Sequence, residues 1–253
     1  MKLANKVALI TGAGSGMGLA AALMFAAEGA AVAAVDINEK TAMDTASRIS
    51  AQGGRAIGIR ADVSTSADVK EMFARTIKEF GRLDILYNNA AIIEEVTQLG
   101  ELPDEDFDRV IGINLRGVYL GMKYALPHLI ASGGGSIINT GSIAGFTSFR
   151  GTPAYTAAKA GVVALTKVAG LQFAKHKIRV NAICPGPVFT PMAEGIHRRM
   201  TGRELRPTSK MPTSASGRMA MPEEIARVAL FLASDDSSYI NATPITVDGG
   251  WAP

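Results

Sequence analysis

Apolar positions alternate between two textures along the chain. Short runs rich in β-branched residues are separated by longer alanine-rich segments whose apolar residues recur at helical spacing. The short runs predict strands over 7–11, 31–36, 56–60, 83–87, 136–140, 178–184 and 245–247. The longer segments predict helices over 16–27, 39–52, 66–80, 104–129, 153–174 and 222–233. Strand and helix in strict alternation is the pattern of an α/β chain: a single doubly wound domain, with a mostly parallel sheet of six to seven strands and helices on both faces. One stretch breaks the rhythm. Residues 187–217 hold four prolines, several Ser and Thr and scattered arginines, and so long a loop inside one domain is expected to be a functional lid.

Composition narrows the class. At 253 residues and 47% hydrophobic content the chain can bury a large core. A formal charge of +3, with no block of like charges, gives no basis for nucleic-acid binding. Cys184, the single cysteine, excludes an intrachain disulfide and fits a reducing, cytoplasmic setting. His128, His176 and His197 lack ligand spacing, so no metal site is expected. The apolar N-terminal run stops at Ile10 in a glycine turn, unlike a signal peptide. The apolar stretch 19–35 is interrupted by Glu28 and Gly29, so it reads as helix then strand, and no membrane segment is expected.

Candidate chemistry begins at the first strand, which runs into TGAGSGMG over 11–18 and then directly into a helix. Backbone N–H groups and the positive end of the helix dipole face that turn, a fit for a pyrophosphate. The register is not GxGxxG, since Met17 stands where that pattern wants glycine. A tight connection is the plain alternative. The second strand ends at Asp36, whose carboxylate can accept from both hydroxyls of an adenosine ribose, or else cap the helix that follows.

The second candidate is the stretch 139–159, NTGSIAGFTSFRGTPAYTAAK. Tyr155 and Lys159 stand at i and i+4 of a predicted helix and share a face, so an ammonium there favours the ionised phenol and draws its pKa from about 10 toward neutral. Such a phenol can give and take protons. Ser142 can offer a second hydrogen bond to the same substrate oxygen. Chance spacing is the plain alternative for the pair. Cys184, at the end of an apolar strand, reads as a packed hydrophobe.

Taken together, these motifs resemble those of the short-chain dehydrogenase/reductase family over nearly the whole chain. Thr11, Gly12, Gly16 and Gly18 match its TGxxxGxG turn, Asn88, Asn89 and Ala90 its NNAG, and Tyr155 with Lys159 its YxxxK; Asn114, Ser142, Pro185 and Gly186 follow in family order. The resemblance implies a Rossmann-type fold, NAD as cofactor, a small alcohol or ketone as substrate and a homotetramer. It implies Tyr155 as general acid/base, Lys159 as its partner and ribose ligand, Ser142 as the group orienting the substrate oxygen, and Asn114 as holder of a relay water. For the cofactor it implies Gly12, Ser15, Gly16, Met17 and Gly18 at the phosphates, Asp36 and Ile37 at the adenosine ribose, and Asp62 and Val63 at the adenine. Asn89 and Ala90 would form the floor, and Pro185, Gly186, Val188 and Thr190 would approach the carboxamide. Ala91 departs from the pattern, placing a methyl where the family has glycine and putting the adjoining wall, 92–95, in question.

Asn114 and Thr190 also have structural readings, as a backbone tie and a helix cap. Two rivals to the NAD-dependent reading stand beside it: an NADPH-dependent reductase of carrier-bound 3-oxoacyl groups, and a nucleotide-binding regulator without turnover. The lid's Arg198, Arg199, Arg203, Arg206 and Lys210, against Glu194 and Glu204, read as a solvated basic flap or as a source of one arginine for an anionic substrate.

Overall fold

Strand β1, Val7–Thr11, is buried at every position, so both its faces must be covered and it belongs at the centre of the sheet. The computed structural model, which describes residues 1–147, 151–206, 209 and 214–251, places it there. Strands β2 (Ala31–Asp36), β3 (Ala56–Arg60), β4 (Ile85–Asn88), β5 (Gly135–Thr140), β6 (Ile178–Pro185) and β7 (Pro244–Val247) complete a seven-stranded sheet in the order β3-β2-β1-β4-β5-β6-β7. Every pairing is parallel.

The chain winds outward through β2 and β3, then crosses back to place β4 on the other side of β1. That reversal opens a crevice beyond the carboxyl ends of β1 and β4. Helices α1 (Gly16–Ala27), α2 (Glu39–Ala51) and α9 (Pro222–Ala233) cover one face, through Phe25, Ile49, Ile225 and Leu232. Helices α3 (Ser66–Phe80), α5 (Gly117–Ala131) and α7 (Pro153–Phe173) cover the other, through Phe73, Met122, Leu129 and Val162.

Three features differ from the sequence reading. The expected helix over 104–129 is divided into α4 (Asp104–Ile111), a π-helical segment Gly112–Arg116 and α5, which runs on to Ala131. The bulge carries Asn114, whose side chain is pulled onto the backbone of Ile92; π-bulges of this kind mark sites where a helix is bent to serve a neighbour. The stretch read as one long loop contains α8, Pro191–Thr201, started by Thr190, whose hydroxyl accepts from Ala193 N at 3.3 Å. The remainder of that lid includes 207, 208 and 210–213, so Lys210 lies outside the described residues. A short helix α6, Ala144–Thr147, follows β5.

Candidate active site

The turn between β1 and α1 is shaped by two glycines in contact. Gly12 takes φ +64°, and a Cβ on Gly18 would stand 2.1 Å from the Gly12 carbonyl oxygen. Neither tolerates a side chain without moving backbone. The loop after β4 is clamped to this turn: the Thr11 hydroxyl accepts from Asn89 N (3.0 Å) and Ala90 N (3.1 Å), and Asn89 Nδ2 donates back to Thr11 O at 3.0 Å. Ser15 is the N-cap of α1 but makes no side-chain capping bond. The helix's first N–H groups, which have no intrahelical partner, are therefore left to whatever occupies the turn.

That turn forms the middle of a cavity of about 350 Å³. At one end Asp36 projects from β2. Its Oδ2 accepts from Gly14 N (2.9 Å) and its Oδ1 from Asn38 N (3.0 Å), fixing the carboxylate with acceptor positions to spare. Ile37, Asp62 and Val63 wall the same end, and Gly12, Ser15, Gly16, Met17, Asn89 and Ala90 line the centre. Tyr155, Lys159 and Thr190 close the other end. Among the described residues Lys159 is the one cation in the wall, set against Asp36 and Asp62.

The Tyr155 end is built by α7, whose first turn starts at Pro153. Lys159 is 1% exposed; its Nζ donates to Thr140 O at 2.7 Å and lies 5.5 Å from the centroid of the Tyr155 ring. Ser142 is buried, and its Oγ accepts from Ala144 N at 3.1 Å, which leaves its proton for the phenol side. Burial holds the Lys159 amine down to about 8. The same burial pushes the Tyr155 phenol up, with the Ser142 hydroxyl drawing it back and Glu94 adding to the rise. The expectation of a phenol near neutrality is thus corrected. In so enclosed a place desolvation penalises phenolate and ammonium alike, and it outweighs their mutual attraction.

Other anticipated residues stand back from the wall. Gly18 supports Gly12 from behind, and Pro185 ends β6, paired with Val247. Gly186 N donates to Val247 O at 3.0 Å, and Val188 packs into the core on the α1 face. Asn114 is fully buried with its side chain committed to Ile92, accepting from N at 2.8 Å and donating to O at 2.7 Å. Its neighbour Ile113 reaches the cavity instead, as do Thr140 and Met192, which sequence reasoning passed over, and Ile92 of the wall left in question. Ala91 sits in the wall, its methyl part of the lining. Glu94 lies in the 92–95 wall that the sequence reading left in question, and its contact with α7 was not anticipated. It is 2% exposed, and its two carboxylate oxygens accept from Tyr155 N at 3.0 and 3.2 Å, capping α7 directly beneath the tyrosine.

Among the described residues there is no cluster of three or more metal-binding side chains, and no helix is long and apolar enough to cross a membrane.

Comparison with known proteins agrees with this architecture. Residues 12–252 match a family model described as Enoyl-(Acyl carrier protein) reductase. Cyclohexanol dehydrogenase of Acinetobacter sp. (strain SE19) is 40% identical over 250 residues, covering 99% of this chain and 96% of that protein. The crystal structure of levodione reductase superposes with a TM-score of 0.94 at 36% identity, covering 98% of each chain. That of 3-ketoacyl-(acyl-carrier-protein) reductase from Brucella melitensis, complexed with NADH, gives 0.90 at 34% identity, covering 99% of this chain and all of that one (100%). The chain belongs to the short-chain dehydrogenase/reductase family. It is an oxidoreductase whose family binds a nicotinamide cofactor.

Proposed function

We propose that the protein is an NAD-dependent oxidoreductase acting on a secondary alcohol or its ketone, with Tyr155, Lys159, Ser142 and Asn114 as its catalytic set. The observation that carries this reading is the meeting of a buried lysine and a phenol at one end of a cavity whose other end is an acid, with the buried Ser142 hydroxyl bonded to that phenol.

The chain fits a dinucleotide. The uncapped start of α1 supplies donors for a pyrophosphate, the glycine contact gives it room, and Asp36 offers acceptors to a ribose diol. Bound there, NAD supplies the carbon that accepts or returns the hydride. Tyr155 takes the proton from the substrate hydroxyl in oxidation and returns it in reduction. Ser142 donates to the same oxygen, fixing its position and stabilising negative charge on it. Lys159, anchored by the Thr140 carbonyl, keeps a proton source beside the phenol. The Asn114 side chain is occupied with Ile92, so its part in a water relay falls to its backbone carbonyl within the π segment.

Two aspartates in the cavity wall, with no arginine there among the described residues, argue for NAD over NADP, because the extra ribose phosphate of NADP would meet Asp36. The same feature weighs against the NADPH-dependent 3-oxoacyl-carrier reductase. A regulator without turnover has no use for the Tyr155 end. We further propose one domain spanning 1–253, a lid at about 187–217 built on α8, a homotetramer, and a cytoplasmic setting. The test is catalytic efficiency on a panel of secondary alcohols and ketones with both cofactors. NAD turnover in at least one direction is expected, and equal use of NAD and NADP would overturn the cofactor assignment.

A further inference from the structure

Beside the main cavity lies a second, of about 240 Å³, walled by Glu94, Glu95, Val96, Ile196, Arg199 and Met200. The two are built from the same pair of elements. The loop after β4 gives Ile92 to the first and Glu94 and Val96 to the second, while α8 gives Met192 to the first and Ile196 and Met200 to the second. Positions 192, 196 and 200 follow one another at i, i+4 and i+8, on a single face of α8. The cavities therefore lie in line under that face, with Tyr155 between them: its ring borders the first, and its backbone N–H is bonded by Glu94 of the second. A substrate held at the tyrosine has this second cavity next to it.

The wall of that cavity is apolar at Val96, Ile196 and Met200. Arg199 and Glu95 face each other at 3.9 Å on the exposed rim and cancel in charge. Glu94 is left over. It is 2% exposed, it has no ion pair among the described residues, and both its oxygens share a single donor, the Tyr155 N–H. A carboxylate has about four acceptor positions, and the single Tyr155 N–H leaves most of them open. Its remaining acceptor capacity belongs to the cavity.

Building on the alcohol and ketone reading above, we propose that Glu94 selects the substrate: it accepts a hydrogen bond from a second donor on the molecule, a hydroxyl or an ammonium, and turns away molecules bearing a carboxylate or phosphate there. The lid arginines, which by sequence read as a solvated basic flap or as a source of one arginine for an anionic substrate, do not outweigh it.

The probes are cyclohexanol, trans-1,4-cyclohexanediol, trans-4-aminocyclohexanol and trans-4-hydroxycyclohexanecarboxylate. With the wild-type protein and NAD, kcat/KM for the diol and the amino alcohol should exceed that for cyclohexanol by about tenfold or more, the range of a hydrogen bond to a charged group, and the hydroxy acid should fall below it. In Glu94→Gln the amide oxygen still accepts from Tyr155 N–H, but the charge is gone. The advantage of the amino alcohol over the hydroxy acid should then shrink at least about tenfold. The same four molecules titrated into protein saturated with NADH, where an alcohol is not turned over, should give the same order in Kd. A wild type that treats all four alike or prefers the hydroxy acid would overturn the proposal, as would an order unchanged in Glu94→Gln. The wild-type order decides the matter even if the variant does not fold. Turnover without this order removes Glu94 as selector and leaves the alcohol reading intact; the order in Kd without turnover in either direction does the reverse.

Discussion

The Lys159 ammonium lies 5.5 Å from the centre of the Tyr155 ring, and what holds it there is the carbonyl of Thr140 at the end of β5. The pair that reads in the sequence as a helical i, i+4 contact is thus fixed from outside the helix, by a strand. Both groups are enclosed, so burial governs their protonation: the amine is held down to about 8 and the phenol is raised.

This has a consequence for stability against pH. A lysine whose pKa is lower folded than unfolded binds fewer protons in the native state across the window from about 8 to 10.5, so stability rises with pH there. Below about 8 the full penalty is present. Relative to Lys159→Met, the wild type should gain about 3 kcal/mol as pH is raised across that window. Urea denaturation of both proteins at pH 7, 8.5 and 10 measures it, and a difference that does not move with pH would show an ordinarily solvated ammonium.

The raised phenol sets the sign of the activity profile. Oxidation needs the phenolate, which is scarce at pH 7 when the pKa lies above 10, so kcat/KM for alcohol oxidation should climb through the alkaline range. A profile flat from pH 7 to 10 would place the ionising group elsewhere.

At the phosphate turn, Gly18→Ala would put a methyl 2.1 Å from the Gly12 carbonyl. Overpacking of this kind costs about 1–3 kcal/mol, and the displaced turn should also lose NADH. Denaturant midpoint and fluorescence titration read the two effects separately.

Much of the sheet was legible in the sequence. Strands β1, β2 and β3 begin and end where the β-branched and alanine-rich runs do, because each run stops at a turn or a charged residue. Two things were not legible. The π segment at Asn114 exists because its side chain is drawn to Ile92, a contact made only once β4 lies beside the helix. Glu94 looks in sequence like an ordinary surface acid. Only the fold brings the loop after β4 beneath the start of α7, where a carboxylate can be buried on a free N–H. The phenol's pKa was misjudged for the same reason, since helical spacing reports the neighbouring charge and not the depth of burial.

Helix α7 carries an apolar stripe that the described residues leave uncovered. Ala157, Ala160 and Ala164 are exposed, as are Val168 at 49% and Leu171 at 76%. Gly161 serves the subunit itself, since a Cβ there would meet Leu115 at 2.8 Å. The stripe fits a second copy of the helix, and Ala164→Glu should convert the proposed tetramer to smaller species by light scattering. A monomer at micromolar concentration in the wild type would dispose of the assembly.

For cofactor choice, Asp36 with its hydrogen bonds to Gly14 N and Asn38 N should give NAD at least about a 100-fold advantage, near 2.7 kcal/mol. Asp36→Ser with Ile37→Arg should shift preference toward NADP by removing the carboxylate and supplying a guanidinium.

The most direct test of the account is absorbance of NADH at its nicotinamide band, followed in both directions for wild type and Tyr155→Phe with the secondary alcohol and ketone that the substrate panel picks out. The wild type should turn over, and the variant should lose at least about 100-fold in kcat while binding NADH nearly as before. Near-native turnover by Tyr155→Phe would contradict the assignment of the proton to this phenol, and with it the mechanism.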